Sequence, residues 1–210
     1  MRDYSLYVLT DEGLAHGQTH VELASLAIEG GADVIQLRDK NLDSRELYQT
    51  AVKIACLCQA QQVTFIVNDR ADIALAAGAD GVHVGQGDIP PAALRKVVPA
   101  DFIIGVSAGT VEEAVKAQQE GADYVALSPL FDTSSKDDAG HGHGLAALKK
   151  MKEALSIPVL AIGGINANNV QEVIAAGADG VAVISAVVSQ DDVTAAAANL
   201  KKLIMAARER

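Results

Sequence analysis

Two carboxylates and a few cations in this chain have the residue types and spacing of a site for a polyanion. Asp69 lies in Asn68-Asp69-Arg70 and Asp88 closes Gly85-Gln86-Gly87-Asp88. Arg38 and Lys40 flank Asp39 in Gln36-Leu37-Arg38-Asp39-Lys40, and Lys136 follows Thr133-Ser134-Ser135. Each segment follows a short apolar run that reads as a strand. Hard divalent ions such as Mg²⁺ take one or two carboxylates and complete their shell with phosphate oxygens and water. Acids and cations gathered in one place therefore suit a metal-bound polyphosphate. The plainer expectation for Asp69 is a salt bridge to Arg70 or Arg38.

Those residues converge only if the elements between them bring them together. The segment Gly-Ala-Asp occurs at residues 31–33, 78–80, 121–123 and 177–179, each time closing a helix-like stretch and opening the strand-like runs VIQL, GVHV, YVAL and GVAV. Four further runs lie between them: YSLYVL from Tyr4, TFIV from Thr64, FIIGV from Phe102 and PVLAI from Pro158. Eight strands alternating with helices, self-similar over every second strand, predict an α/β fold: a (β/α)₈ TIM barrel in one domain spanning 1–210. A doubly wound open sheet is the competitor, and no G-x-G-x-x-G follows the first strand to support it. Helices are expected over about 19–29, 44–61, after Asp72, from near Pro90, 110–120, 144–155, 168–176 and 191–209. Thr110, with an acid three residues on, predicts a capping box. The repeat glycines should end helices in the left-handed region and the repeat aspartates should cap or turn into strands.

A barrel places chemistry at the C-terminal strand ends. Arg38, Lys40, Asn68, Asp69, Arg70, Asp88, Ser107 and the Ser128–Lys136 segment then share one rim. The seventh and eighth strands end in Gly163-Gly164-Ile165 and Ile184-Ser185-Ala186. Small residues there let the backbone approach an anion, the make-up of a phosphate cup. The long sixth connection, with Thr133, Ser134, Ser135 and Lys136 before KDDAGHGHG, is a candidate lid. His141 and His143 read as solvated loop residues and His83 as packing. No Ser–His–Asp or Cys–His arrangement is legible, which disfavours covalent acyl chemistry.

The formal net charge of −10, the lack of any Lys/Arg run and the absence of Trp argue against nucleic acid as a partner. No apolar run reaches the roughly 18–20 residues that span a bilayer. The N-terminal MRDYSLYVLTDEG carries acids where a signal peptide is apolar, so a cytoplasmic enzyme acting on small molecules is expected. A homo-oligomer is left open. Cys56 and Cys58, two apart on a helix, point to different sides and should neither pair nor chelate together.

Taken in order, QLRDK, IVNDR, ALAAGADGVHVGQGDIP, IIGVS, FDTSSK, IPVLAIGGI and GVAVISA resemble the thiamin-phosphate synthase family over nearly the whole chain. The resemblance implies a (β/α)₈ transferase. It joins 4-amino-5-hydroxymethyl-2-methylpyrimidine diphosphate to 4-methyl-5-hydroxyethylthiazole phosphate, with Mg²⁺ as cofactor and pyrophosphate released. It implies further that Asp69 and Asp88 hold the metal, and that Arg38, Lys40, Asn68 and Lys136 grip the diphosphate. Gln36 and Ser107 would contact the aminopyrimidine. Thr133, Ser135, the Gly164 backbone and the Ile184–Ser185 turn would hold the thiazole phosphate. Arg38, Lys40, Asn68, Ser107 and Lys136 carry the catalytic assignments. The sixth connection departs from the family pattern at Ser128, Asp132 and Ser135, and Asp132 adds a negative charge beside a phosphate-binding loop. Thiazole tautomerase-like relatives, a non-catalytic barrel that binds thiamin phosphate and a generic phosphosugar isomerase are the rival readings.

Overall fold

A computed structural model describes residues 3–133 and 141–209. Eight parallel strands follow one another around a closed barrel: β1 Leu6–Thr10, β2 Val34–Leu37, β3 Thr64–Asn68, β4 Gly81–Val84, β5 Ile103–Ala108, β6 Tyr124–Leu127, β7 Val159–Ile162 and β8 Gly180–Val183. The ring closes at β1, where Tyr7 is in register with Val34 on one side and Ala182 on the other. The helices outside are α1 His20–Glu29, α2 Ser44–Gln61, α3 Ala71–Ala77, α4 Pro91–Leu94, α5 Val111–Gln119, α6 Gly144–Ala154, α7 Val170–Ala175, α8 Ser185–Val188 and α9 Val193–Arg208.

The helix starts are chemically marked. Thr19 and Thr110 each form a full capping box, with Glu22 and Glu113 reaching back to the cap. Asp43 and Asp192 cap α2 and α9 through their side chains. Such caps contribute about 1 kcal/mol each. The four-residue α8 was not anticipated as a separate element, because a single turn is too short to show a 3.6-residue period. The first strand begins at Leu6 rather than Tyr4, and the Tyr4 ring packs beneath the barrel against Tyr124, centroids 5.1 Å apart.

The repeated Gly-Ala-Asp segments explain how the ring closes at its N-terminal end. All four glycines have left-handed φ, between 73° and 103°, as the turn from helix to strand requires. Each aspartate reaches sideways to the strand before its own. Asp33 accepts from Leu6 N–H at 2.8 Å, Asp80 from Phe65 N–H at 2.8 Å, Asp123 from Ile104 N–H at 2.7 Å and Asp179 from Val159 N–H at 2.7 Å. The carboxylate thus satisfies a buried donor that no ladder bond serves and ties the strands together in pairs.

The four latches are not equivalent. Lys201 pairs with Asp33 at 2.5 Å, Lys152 with Asp179 at 2.6 Å, and Arg95 with Asp123. The alkyl stems of these cations cover the repeat glycines at 31, 177 and 121. Among the described residues Asp80 has no such cation and Gly78 nothing within 4 Å of its outward face. Cys58 stands beside Asp80 instead, in a recess of about 470 Å³. Burial, with the Asp80 charge adding to it, pushes the Cys58 thiol up to about 12. Cys56 is exposed and Cys58 buried, on different sides of α2 as their spacing predicts.

Inside the ring the layers are not uniformly apolar. Tyr7, Gln36, His83 and Tyr124 point inward beside Leu9 and Leu160. Gly105 makes room for them, since a Cβ there would overlap the Tyr124 ring. No helix among the described residues is long and apolar enough to cross a membrane.

Substituting the latch aspartates by Asn keeps an acceptor for the strand N–H and removes the charge. Asp179→Asn and Asp33→Asn should each cost about 0.5–1 kcal/mol more in urea denaturation than Asp80→Asn, with the gap closing in high salt. Equal losses at all of these positions would show that the cations contribute nothing.

Candidate active site

At the C-terminal ends of the strands, Arg38, Lys40, Asn68, Asp69, Asp88 and Ser107 line one cavity of about 590 Å³. Six side chains expected from the sequence are thereby brought together from four successive strand ends. The loop after β2 shows how the cations are aimed. Asp39, between Arg38 and Lys40, turns back into the protein. Its Oδ1 accepts from the N–H groups of Asn41 and Leu42 at 2.7 and 2.9 Å, and its Oδ2 lies 3.0 Å from His20 Nε2. His20 Nδ1 in turn meets Thr10 Oγ1 at 2.7 Å. Burial alone would raise the Asp39 pKa, but these bonds outweigh it and hold the carboxyl below its ordinary value. The Thr10–His20–Asp39 chain has the residue order of a nucleophile relay, an order not legible in the sequence. With Thr10 fully buried, it acts as a brace for the loop. Arg38 Nη1 donates to Asp11 Oδ2 at 3.3 Å, which fixes the guanidinium at the cavity wall.

The two carboxylates meet each other rather than a cation. Asp69 sits in the left-handed region at φ 60°, its N–H donating to His83 O at 2.8 Å, and its side chain is within hydrogen-bonding reach of Asp88. Asp88 Oδ2 accepts from Gly85 N–H at 2.7 Å, which folds the loop after β4 back toward β3. Desolvation first, and then the neighbouring Asp88 charge, push Asp69 up to about 6 against the pull of Lys40 and Arg38. The expected salt bridge to Arg70 does not form. Arg70 leaves the cavity to pair with Asp72 at 2.7 Å and with Ser44 Oγ at 3.1 Å, so it is not a cation of the mouth. Two crowded carboxylates make an anionic pair that one hard divalent ion would neutralise. No group of three or more His, Cys, Asp or Glu that could hold a metal occurs among the described residues.

A second cavity, about 290 Å³, opens beside the first and shares Ser128 and Pro129 with it. Thr133, Gly164, Ile184 and Ser185 line it, as expected, together with Asn166 and Gln190, which the sequence did not single out. Gly163 and Gly164 have φ of 105° and 65°. A Cβ on Gly163 would lie 2.7 Å from Pro129 Cβ, and one on Gly164 2.7 Å from Phe131 Cβ. Their carbonyls are engaged by Phe131 N–H at 3.1 Å and Asn169 Nδ2 at 2.9 Å, so the turn does not offer them to an anion. The first turn of α8 completes the wall, with Ile184 as its cap. Backbone N–H groups of a first helical turn have no intrahelical acceptor and suit an anion.

The sixth connection is closed at its neck. His143 N–H donates to Pro129 O at 3.0 Å, Gly144 N–H to Leu130 O at 2.8 Å, and Gly142 N–H to Asp132 Oδ1 at 2.8 Å. Asp132 accepts at the loop base and does not line the smaller cavity, although its side chain is largely exposed. Ser134, Ser135 and Lys136 lie outside the described residues. His141 and His143 are exposed, as expected of solvated loop residues, and stand at the border of the larger cavity.

His83 and Gln36 differ from expectation in instructive ways. His83 is not inert packing. It lines the larger cavity and bonds through both ring nitrogens, to Tyr124 Oη at 2.9 Å and Ser107 Oγ at 2.8 Å. Gln36 lies one layer deeper, only 2% exposed, with its Oε1 buried and unbonded. The small interior void it lines touches His83 of one cavity and Ile162 and Ala182 of the other. Nothing in a strand's alternation alone distinguishes an inward residue at the mouth from one a layer below.

A parallel (β/α)₈ barrel whose C-terminal strand ends gather a carboxylate pair, cations and an adjoining glycine cup has the architecture of a barrel enzyme acting on small molecules. The chain belongs to the thiamine monophosphate synthase family, whose model matches residues 6–187. It is 60% identical over 205 residues to a thiamine-phosphate synthase of Methanoculleus marisnigri, covering 98% of this chain and 97% of that one. A thiamine-phosphate synthase of Methanocella arvoryzae is 61% identical over 201 residues, covering 96% and 95%. Among solved structures, a thiamine phosphate pyrophosphorylase from Pyrococcus furiosus superposes with a TM-score of 0.91 at 41% identity, covering 98% of each chain. A 3-hexulose-6-phosphate synthase, at 22% identity and a TM-score of 0.71, shares the fold.

In the metal-free protein, carboxyl-carbon NMR should find Asp69 titrating near pH 6, and Asp88→Asn should bring it down toward the usual carboxylate range. Because folding raises this pKa, its stabilising contribution is complete below about pH 4 and is lost as pH rises through about 6. Stability should therefore fall over that window in the wild type and less in Asp88→Asn. An unshifted Asp69 would mean the two carboxylates stand apart. Independently, Gly164→Ala should lower stability by about 1–3 kcal/mol in urea denaturation, because the new methyl group meets Phe131 at an unfavourable φ.

Proposed function

We propose that the two adjoining cavities divide the labour of a thiamine-phosphate synthase reaction: the carboxylate-and-cation cavity takes the pyrimidine diphosphate and the glycine cup takes the thiazole phosphate. The observation that carries this reading is the shared Ser128–Pro129 wall. It would set a diphosphate-bearing carbon beside the ring held by the cup. In the reaction the C–O bond between the pyrimidine methylene and the diphosphate breaks, and its electron pair leaves with pyrophosphate. The thiazole nitrogen then supplies its lone pair to the methylene carbon, forming the C–N bond of thiamin phosphate. No protein nucleophile is needed.

What the chain contributes is charge and orientation. Arg38, held by Asp11, and Lys40, on the loop braced through Asp39, present positive charge where the leaving group gains negative charge. Asn68 stands at the end of β3 beside them, and Lys136 would add a cation from the sixth connection. Asp69 and Asp88 would hold Mg²⁺, which when bound neutralises diphosphate oxygens. Prearranged charges of this kind act on the transition state without reorganisation cost. Ser107 and Gln36 would receive the aminopyrimidine ring. Thr133, Ser135, the Gly164 turn and Ile184–Ser185 would hold the thiazole phosphate. The overall charge of −10 does not oppose this, since the potential that matters is local and the cations border the cavity itself.

The test is to incubate the protein with both substrates, with and without Mg²⁺, and to follow pyrophosphate and thiamin phosphate. Mg²⁺-dependent formation of both in equal amounts is expected. A tautomerase-like relative would make neither, and a sensor would bind thiamin phosphate without turnover. Asp88→Ala and Lys136→Ala should each reduce kcat by about 10²-fold or more, the scale of a lost electrostatic contact in the transition state. Near-normal rates in both would remove the diphosphate-site assignment.

A further inference from the structure

Five side chains form a single hydrogen-bonded chain across the barrel interior. Gln36 Nε2 donates to Tyr7 Oη at 2.6 Å, and Tyr7 Oη lies 3.0 Å from Tyr124 Oη. Tyr124 Oη is 2.9 Å from His83 Nδ1, and His83 Nε2 is 2.8 Å from Ser107 Oγ. Each hydroxyl has one proton to give, and so does a neutral imidazole. Burial raises the pKa of both phenols, so they stay protonated. With the Gln36 amide donating at one end, the order of the rest follows. Tyr7 donates to Tyr124, Tyr124 donates to Nδ1, and Nε2–H donates to Ser107, leaving the Ser107 proton for the cavity. At the other end Gln36 Oε1 is buried and bonded to nothing. A network that served packing alone would satisfy its terminal acceptor, as buried polar atoms nearly always are.

We propose that Tyr7, Tyr124 and His83 are positioning residues that hold Gln36 as an acceptor and Ser107 as a donor, so that the floor of the mouth selects the amino form of a pyrimidine over its oxo form. The inference rests on the assignment of Gln36 and Ser107 to the pyrimidine ring. An aminopyrimidine offers an amino N–H to Gln36 Oε1 and a ring nitrogen lone pair to the Ser107 hydroxyl. A 4-oxo ring offers the reverse, a carbonyl and a ring N–H. Ser107 has a second lone pair that could accept a ring N–H, so the discrimination falls on Gln36. An oxo carbonyl would face Oε1 acceptor to acceptor, and turning the amide over would require Tyr7 to redirect its proton from Tyr124 to Oε1. Mismatched donors and acceptors in a dry site are what gives such a pocket its selectivity.

Tyr124→Phe cuts the chain at its centre and keeps the ring that fills the space beside Gly105. The assay compares the 4-amino pyrimidine diphosphate with its 4-oxo counterpart and varies thiazole phosphate separately. Tyr124→Phe should raise KM for the amino substrate and reduce the amino-over-oxo preference, each by about 10-fold, the scale of one lost hydrogen bond. KM for thiazole phosphate should not change. Tyr7→Phe should give the same loss of preference, and it decides alone should Tyr124→Phe fail to fold. An unchanged preference in the folded variant overturns the relay. Gln36→Ala and Ser107→Ala separate the two levels. If both leave the pyrimidine KM unaltered, the ring assignment fails and the relay with it. If both raise it while Tyr124→Phe leaves the preference intact, the relay alone is wrong.

Discussion

A closed ring of parallel strands has no edge, so each strand's register is held from both sides, and the N–H groups where strands begin must find acceptors outside the ladder. In this chain the next repeat's aspartate supplies them: Leu6, Phe65, Ile104 and Val159 each donate to a carboxylate from the following strand's approach. Because the latches lie at the N-terminal end, the opposite strand ends are left to loops. The separation of a stability face from a functional face is thus built from backbone hydrogen bonding.

At the functional face the opposing requirement is charge. Burial first, and the nearby Asp88 charge second, push Asp69 up to about 6, while Arg38 and Lys40 lie near enough to pull the other way. The local folding occupies the competing partners. Asp11 takes Arg38, Asp72 takes Arg70, and His20 with two backbone N–H groups takes Asp39. The carboxylate pair is left facing the cavity, at a residue whose φ of 60° is itself unfavourable for a side chain. Electrostatic strain and backbone strain coincide at one residue, as expected where a fold has been bent to a purpose other than its own stability.

Between the two faces lies a barrel interior that is polar in its middle layers. Tyr7, Gln36, His83 and Tyr124 replace branched aliphatics, and Gly105 yields volume to the Tyr124 ring. Buried polar groups cost least when bonded in sequence, and here the bonds run from the Gln36 amide nitrogen to a serine at the mouth, with only the Gln36 oxygen left unbonded. The glycine cup is built on the same economy of space, since Gly163 and Gly164 admit Pro129 and Phe131 where a methyl group would not fit.

Much of this was legible beforehand. The Gly-Ala-Asp repeat and eight apolar runs specified the barrel, and the capping threonine at 110 marked a helix start. Six residues chosen from strand ends line one cavity, because a strand's end is a local property that periodicity reveals. Which way a side chain turns at that end is not local. Arg70 and Asp69 are neighbours in sequence, yet one leaves the mouth and the other faces it. His83 and Gln36 share an inward face with residues that merely pack. Those outcomes depend on partners far along the chain, such as Asp11 for Arg38 and Tyr124 for His83. The sequence by itself determined the elements, their order and the rim on which chemistry collects, since these follow from hydrophobic period and turn residues. Only the tertiary structure decided which charges are cancelled and which remain exposed to a ligand, because cancellation is set by distances between segments that the chain order does not encode.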